Sequence, residues 1–158
     1  MNTAQLPATS RRVEQNTDPH INDTIRAQTD AEITRLEGAP PEDYAARLGE
    51  LDGEWDIERV LQTNASAIVM LGVLLAWRVD RRFMLLPAAV FSFLLQHALQ
   101  GWCPPIPVFR RLGVRTAREI ARHRYAQKAL RGDFDDVPAR AGTPARERMR
   151  AVLKAVDA

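Results

Sequence analysis

Leu61–Val79 (LQTNASAIVMLGVLLAWRV) and Phe83–Trp102 (FMLLPAAVFSFLLQHALQGW) are the two stretches on which the fold turns. The first holds one charge in 19 residues, Arg78 near its end, and the second holds none in 20. At about 1.5 Å rise per residue, each makes a helix of roughly 28–30 Å, the thickness of bilayer hydrocarbon. Arg78 is long enough to reach headgroups from its place near the end. Only Asp80, Arg81 and Arg82 separate the stretches, so the helices are expected to run antiparallel as a hairpin. Trp77 falls at the loop end, while Trp55 and Trp102 fall towards the terminal end, where interfacial aromatic anchors belong. Two rivals remain open. One is a soluble helical hairpin buried in an oligomer, which the polar Asn64, Ser66, Gln96, His97 and Gln100 favour; the other is a re-entrant hairpin that never crosses. Two adjacent runs of spanning length in 158 residues favour the membrane hairpin.

Helices in lipid gain little by burying apolar surface on each other, so small and polar residues are expected at their contact. Ala65, Gly72 and Ala76 form such a stripe on the first helix, and Ala88, Ser92, Gln96 and Gln100 recur every four residues on the second. The stripes are expected to face one another or a second copy, as packing glue or as a polar path. Two helices enclose no pore, so a channel would demand an oligomer. His97 lies beside the second stripe; it is either a functional titratable group in the membrane or one that reaches interfacial water. Pro87 stands near the start of its helix, where proline is tolerated.

Charge is sorted along the chain. Residues 1–62 carry 6 Arg against 13 acids, and residues 103–158 carry 13 Arg and Lys against 6 acids. The overall +2 therefore hides an acidic front and a basic tail. MNTAQLPATSRR has no apolar core of a signal peptide. Up to about residue 28 the polar composition predicts weak order or disorder. Thr29 or Asp30 is expected to cap a short helix ended by Gly38, and Pro40 and Pro41 to start another over PEDYAARLGELDG. Behind the hairpin, Thr116-Ala-Arg-Glu119 reads as a capping box for a helix over about 117–130, stopped by Gly132. Arg118, Arg122, Arg124, Lys128 and Arg131 surround that helix, a cluster suited to anionic headgroups. No base-reading motif or stacking aromatic accompanies the charges, so nucleic acid is not an expected partner. A last helix capped by Thr143 gathers Ala145, Met149, Val152, Leu153 and Val156 on one apolar face, fit to dock on membrane, neighbouring helix or partner.

Short-loop arginines set the expected orientation. Arg47 and Arg59 before the hairpin, with Arg110, Arg111, Arg115, Arg118 and Arg122 after it, outnumber Arg78, Arg81 and Arg82 at the turn. Both termini are therefore expected in the cytoplasm. Arg110, Arg111, Arg115, Arg118 and Arg122 are also the expected headgroup contacts.

Cys103 is the chain's one cysteine. A polar lead-in, a tight hairpin, Gly101-x-Cys103-Pro104 at its exit and Leu112-Gly113-x-x-Thr116 soon after resemble the YgaP-like transmembrane domain family. The likeness covers roughly residues 54–118. In this chain the spacing from Cys-Pro to Leu-Gly is a few residues longer, filled by Pro105 and Pro107, and an Asp-Arg-x-x-Arg entry is only echoed by Asp56 and Arg59. The resemblance implies a small bacterial inner-membrane protein and supplies no activity. Some members of that family fuse the hairpin to a rhodanese domain; none is expected here, because Pro104 and Pro105 remove the backbone donors an anion cradle would need behind Cys103. Cys103 is left with two readings: a structural residue whose Cys-Pro pair ends the helix, or an interfacial thiol for redox or sulfur chemistry.

The expected protein is thus all-α. A polar, acidic, partly disordered region (1–53) precedes the transmembrane hairpin (54–116), and a basic interfacial helix and an amphipathic helix follow (117–158). No paired carboxylates, phosphate loop or metal-ligand spacing points to catalysis, a cofactor or a metal. The expected role is a non-catalytic anchor or accessory subunit in the bacterial inner membrane. It would contact anionic lipid, self-associate or hold a cytoplasmic protein. The alternatives are a sulfur or redox relay through Cys103, and a soluble helical oligomer.

Overall fold

The computed structural model describes residues 7–157, and these are all-helical with no strand among them. Helices α1 (Arg12–Gln15), α2 (Pro19–Arg35) and α3 (Pro41–Gly53) precede the hairpin. Its arms are α4 (Ile57–Arg78) and α5 (Leu85–Gln100), joined through a 3₁₀ turn at Arg81–Met84. Helices α6 (Ile106–Arg111), α7 (Ala117–Arg131) and α8 (Ala145–Asp157) follow.

The compact units of the chain are not contiguous in sequence. There are two, each assembled from two separated stretches: the residues up to Arg26 with Trp55–Arg118, and Ala27–Glu54 with the stretch from Glu119 onward. The lead-in differs from expectation. Residues 1–6 lie outside the described residues, but α2 begins at Pro19, well before the expected cap at Thr29 or Asp30. Asp18-Pro19 is the reason. The Asp18 carboxylate accepts from the His20 backbone N–H at 2.9 Å, and proline at the first helical position gives up no bond. Polar composition outweighed that cap signature in the sequence reading.

In the first unit Asp56 caps α4, its carboxylate accepting from the Arg59 N–H at 2.8 Å. The Ile57 N–H donates to the Arg115 carbonyl at 2.8 Å, pinning the start of α4 to the segment ahead of α7. At roughly 1.5 Å per residue α4 is about 33 Å long. Helix α5 alone is shorter, and the 3₁₀ turn, capped by Asp80 on the Arg82 N–H, supplies the rest of the second arm. Both arms are long and apolar enough to cross a membrane, with little of either buried.

Gly72 is where the arms touch. A Cβ there would stand 2.6 Å from Cδ of Pro87. Ala65 and Gly72 of the first predicted stripe do turn inward, and Ala76 is half-buried. The second stripe does not answer it: Ala88, Ser92 and Gln100 are exposed and Gln96 is half-buried. Pro87 and His97 are buried on α5 instead, with Val90 and Leu94 half-buried. Period-four smallness is therefore a poorer guide here than the shape of the Pro87 ring, which fits over a missing side chain.

In the second unit the sorted charges find each other. Arg122 pairs with Asp30 at 2.8 Å, Arg124 with Asp52, and Arg47 with both Glu50 and Glu32. Tyr44, Leu48 and Leu51 are the buried face of α3. Lys128, itself buried, donates to the Val156 carbonyl at 2.7 Å, where a cation complements the end of α8. Ala155 of α8 is buried, whereas Met149 and Leu153 stay exposed.

Candidate functional site

The terminal end of the hairpin gathers most of the chemistry of the first unit. Val13, Ile57, Leu61, Cys103 and Ile106 form its buried core, with Leu94, Phe109 and Val114 packed on it. Helix α5 ends at Gly101, whose φ of 81° is left-handed and whose N–H donates to the His97 carbonyl at 2.7 Å. A Cβ on Gly101 would lie 2.5 Å from the Arg12 carbonyl oxygen, so the residue is glycine for space as well as for conformation. This corrects the structural reading of Cys103-Pro104 as the helix stop. Gly101 does that, and Cys103 folds back beneath the helix end into the core.

Across the same end runs a chain of charged groups. Nε2 of His97 donates to Oε2 of Glu58 at 2.8 Å, and the Arg12 guanidinium donates to Oε1 at 2.7 Å. His97 is 4% exposed, and its Nδ1 has no hydrogen-bond partner among the described residues. The carboxylate fixes which ring nitrogen carries the proton. Asn16 donates to the Gln100 carbonyl at 2.7 Å and to the Arg12 carbonyl at 2.8 Å, so α1 is sewn to the end of α5. His97 thus meets a built partner, where the sequence left it between a membrane function and interfacial water. Glu58 and Arg12 were missed. The hairpin register places Glu58 at the same end as His97, which was a usable signal. Arg12 sits 46 residues ahead of Glu58 and carries none.

Cys103 is buried, and burial pushes its thiol above the ordinary thiol range. Burial alone accounts for that rise. Arg110 is fully buried but donates to the Val114 carbonyl at 3.0 Å and to Oδ1 of Asn22 at 2.9 Å. Among the described residues no three His, Cys, Asp or Glu side chains converge as a metal set.

The five expected headgroup arginines part company. Arg110 and Arg115 are buried, which corrects their assignment to the lipid surface. Arg118 pairs with Glu14 at 2.8 Å and Arg122 with Asp30, both on exposed side chains. Arg111 is exposed at the end of α6. The predicted polar residues of the second arm are likewise separated: Ser92 bonds back to the Ala88 carbonyl at 2.8 Å, and only His97 enters the buried network.

Beside Cys103 a half-open groove of about 380 Å³ runs between the arms. Leu61, Ala65 and Ile68 of α4 and Phe93 of α5 form its walls, and Pro104 and Pro105 close one end. Asn64 is the groove's polar side chain. No family model, curated protein or solved structure matches the chain.

Proposed function

We propose that this chain is a small integral protein of the bacterial inner membrane, crossing twice with both termini cytoplasmic. In this reading it is a non-catalytic anchor or accessory subunit that self-associates or holds a cytoplasmic partner, as the resemblance to the YgaP-like family implies. One observation carries the membrane assignment: the hairpin's apolar side chains are bare. Met70, Trp77 and Leu85 are 73%, 76% and 74% exposed, and Leu71, Leu74, Phe91 and Leu95 are exposed as well. In water each such side chain forgoes roughly 1.5–3 kcal/mol of burial, and a contiguous apolar surface of this extent marks a membrane or protein contact. In lipid the cost vanishes.

The ends of the arms support the same reading. Arg59 stacks over Trp55 at 4.3 Å and Arg78 over Trp77 at 4.6 Å, one pair at each end of α4. An aromatic ring beside a cation suits the headgroup layer. The exposed Ala88, Ser92 and Gln100 leave a face of small and polar residues for a second copy. Burial of Cys103 and its raised pKa speak against the relay reading, because the nucleophile would be the thiolate.

The test is an alkaline carbonate wash of membranes carrying the full chain. Retention is expected, and release into the supernatant overturns the assignment. Orientation is read separately on the Cys103→Ser background with a cysteine at Arg82. Impermeant maleimide should label that position from the periplasmic side, and labelling only after lysis reverses the topology.

A further inference from the structure

The groove beside Cys103 has the proportions of a ligand site, at about 380 Å³ with apolar walls and one polar side chain. That side chain is Asn64. Its amide lines the groove and makes no hydrogen bond to any described residue. Asn64 is half-buried, so its carboxamide is open to a hydrogen bond from whatever fills the groove.

Three features define the occupant. The lining holds no charged side chain, so a phosphate or carboxylate finds no counter-charge in it. The amide both donates and accepts, which suits a neutral carbonyl. Asn64 stands three residues after Leu61, about 4.5 Å into the apolar arm, at the depth where headgroup gives way to hydrocarbon. The groove is a concave hollow between two helices, a shape that a single flexible chain follows.

The geometry points to a binding site for one ester-linked acyl chain of a membrane lipid, its tail along Leu61, Ile68 and Phe93 and its ester carbonyl accepting from the Asn64 amide. The lipid is the source of the ligand because Phe93, in the groove wall, belongs to the exposed apolar side chains of the hairpin. This deepens the membrane reading and rests on it.

Cys103 lines the groove and is the chain's only cysteine, so it reports occupancy directly. The full chain in dodecyl maltoside is titrated with monoolein, and Cys103 alkylation by N-ethylmaleimide is timed. Monoolein is expected to slow alkylation at least fivefold, saturating at one bound lipid per chain by native mass spectrometry. The ether analogue, which lacks the carbonyl, should need about fivefold more for the same protection. Asn64→Leu should erase the difference between ester and ether while leaving the helical circular dichroism intact. Should that variant misfold, Ile68→Trp fills the groove from its rim and must abolish protection. Equal protection by ester and ether in the unaltered protein overturns the carbonyl assignment. No protection, or protection accompanied by a cross-linked dimer, overturns the lipid site. Retention through carbonate with no protection removes the site and leaves the anchor. Release by carbonate removes the anchor and, with it, the membrane as the source of lipid.

Discussion

Gly101 and Cys103 stand two residues apart and illustrate how little residue type says without its surroundings. Gly101 answers a left-handed turn and the Arg12 main chain at once. Gly101→Ala is expected to cost about 1–3 kcal/mol in detergent unfolding, from backbone strain and from displacing α1. A loss below a few tenths would mean that α1 does not hold that position. Cys103 is expected to stay a protonated thiol at pH 8, reacting with an impermeant maleimide far more slowly than a free cysteine and accelerating only at higher pH. Rapid labelling at pH 7 would favour the relay reading over the anchor. For the His97–Glu58 pair, a double-mutant cycle with Glu58→Gln and His97→Leu should show a coupling of about 0.5–3 kcal/mol. Additive effects would show that the two side chains do not act together.

At the scale of the helix, the contrast between Gly72 and Gly49 separates packing from propensity. Both are helical, but a Cβ at Gly72 meets the rigid Pro87 ring, whereas at Gly49 it meets open space. Gly72→Val is expected to destabilise the hairpin by about 1–3 kcal/mol through overpacking. Gly49→Ala should stabilise α3 by roughly 0.5–1 kcal/mol, since alanine loses less backbone freedom on folding. Thermal melts of the two variants should move in opposite directions. If both fall, the open space around Gly49 is not open in solution. The same neighbourhood effect explains α2. Its start was written in Asp18-Pro19, yet the polar residues around it masked a helix whose buried positions, Ile25 and Thr29, are only one turn apart.

Across the whole molecule, the sorted charges pair with one another. Acids of the front and bases of the tail pair as Asp30–Arg122 and Asp52–Arg124 in one unit, and as Glu14–Arg118 in the other. Exposed pairs of this kind are worth about 0.2–1 kcal/mol each and weaken in salt. Part of the basic tail is thereby neutralised within the chain before any headgroup approaches. The Asp133 clasp adds a pH dependence. Its hydrogen bonds from Arg131, at 2.6 and 2.7 Å, hold the Asp133 carboxyl below the usual range. A carboxyl depressed on folding contributes above its unfolded pKa of about 4 and loses that contribution as pH falls through the folded value. The protection factor of the amides near Gly132 should therefore be unchanged from pH 7 to about pH 4 and fall only below it. A fall at pH 5–6 would assign the transition to another group.

The two arms, their short connection, the start of α3 at Pro41 and the extent of α7 follow from sequence alone. Each rests on a local rule: uninterrupted apolar length, proline at a first turn, or glycine at a helix end. Tertiary structure alone decided which face of α5 turns inward, because that depends on Pro87 fitting over Gly72 rather than on periodicity. It likewise buried Arg110 and Arg115 and joined Arg12 to Glu58 and His97. Those pairings bridge residues far apart in the chain, and a charged side chain takes whichever compensating partner the fold delivers. Sequence counts such charges; only the folded path says which of them stay at the surface.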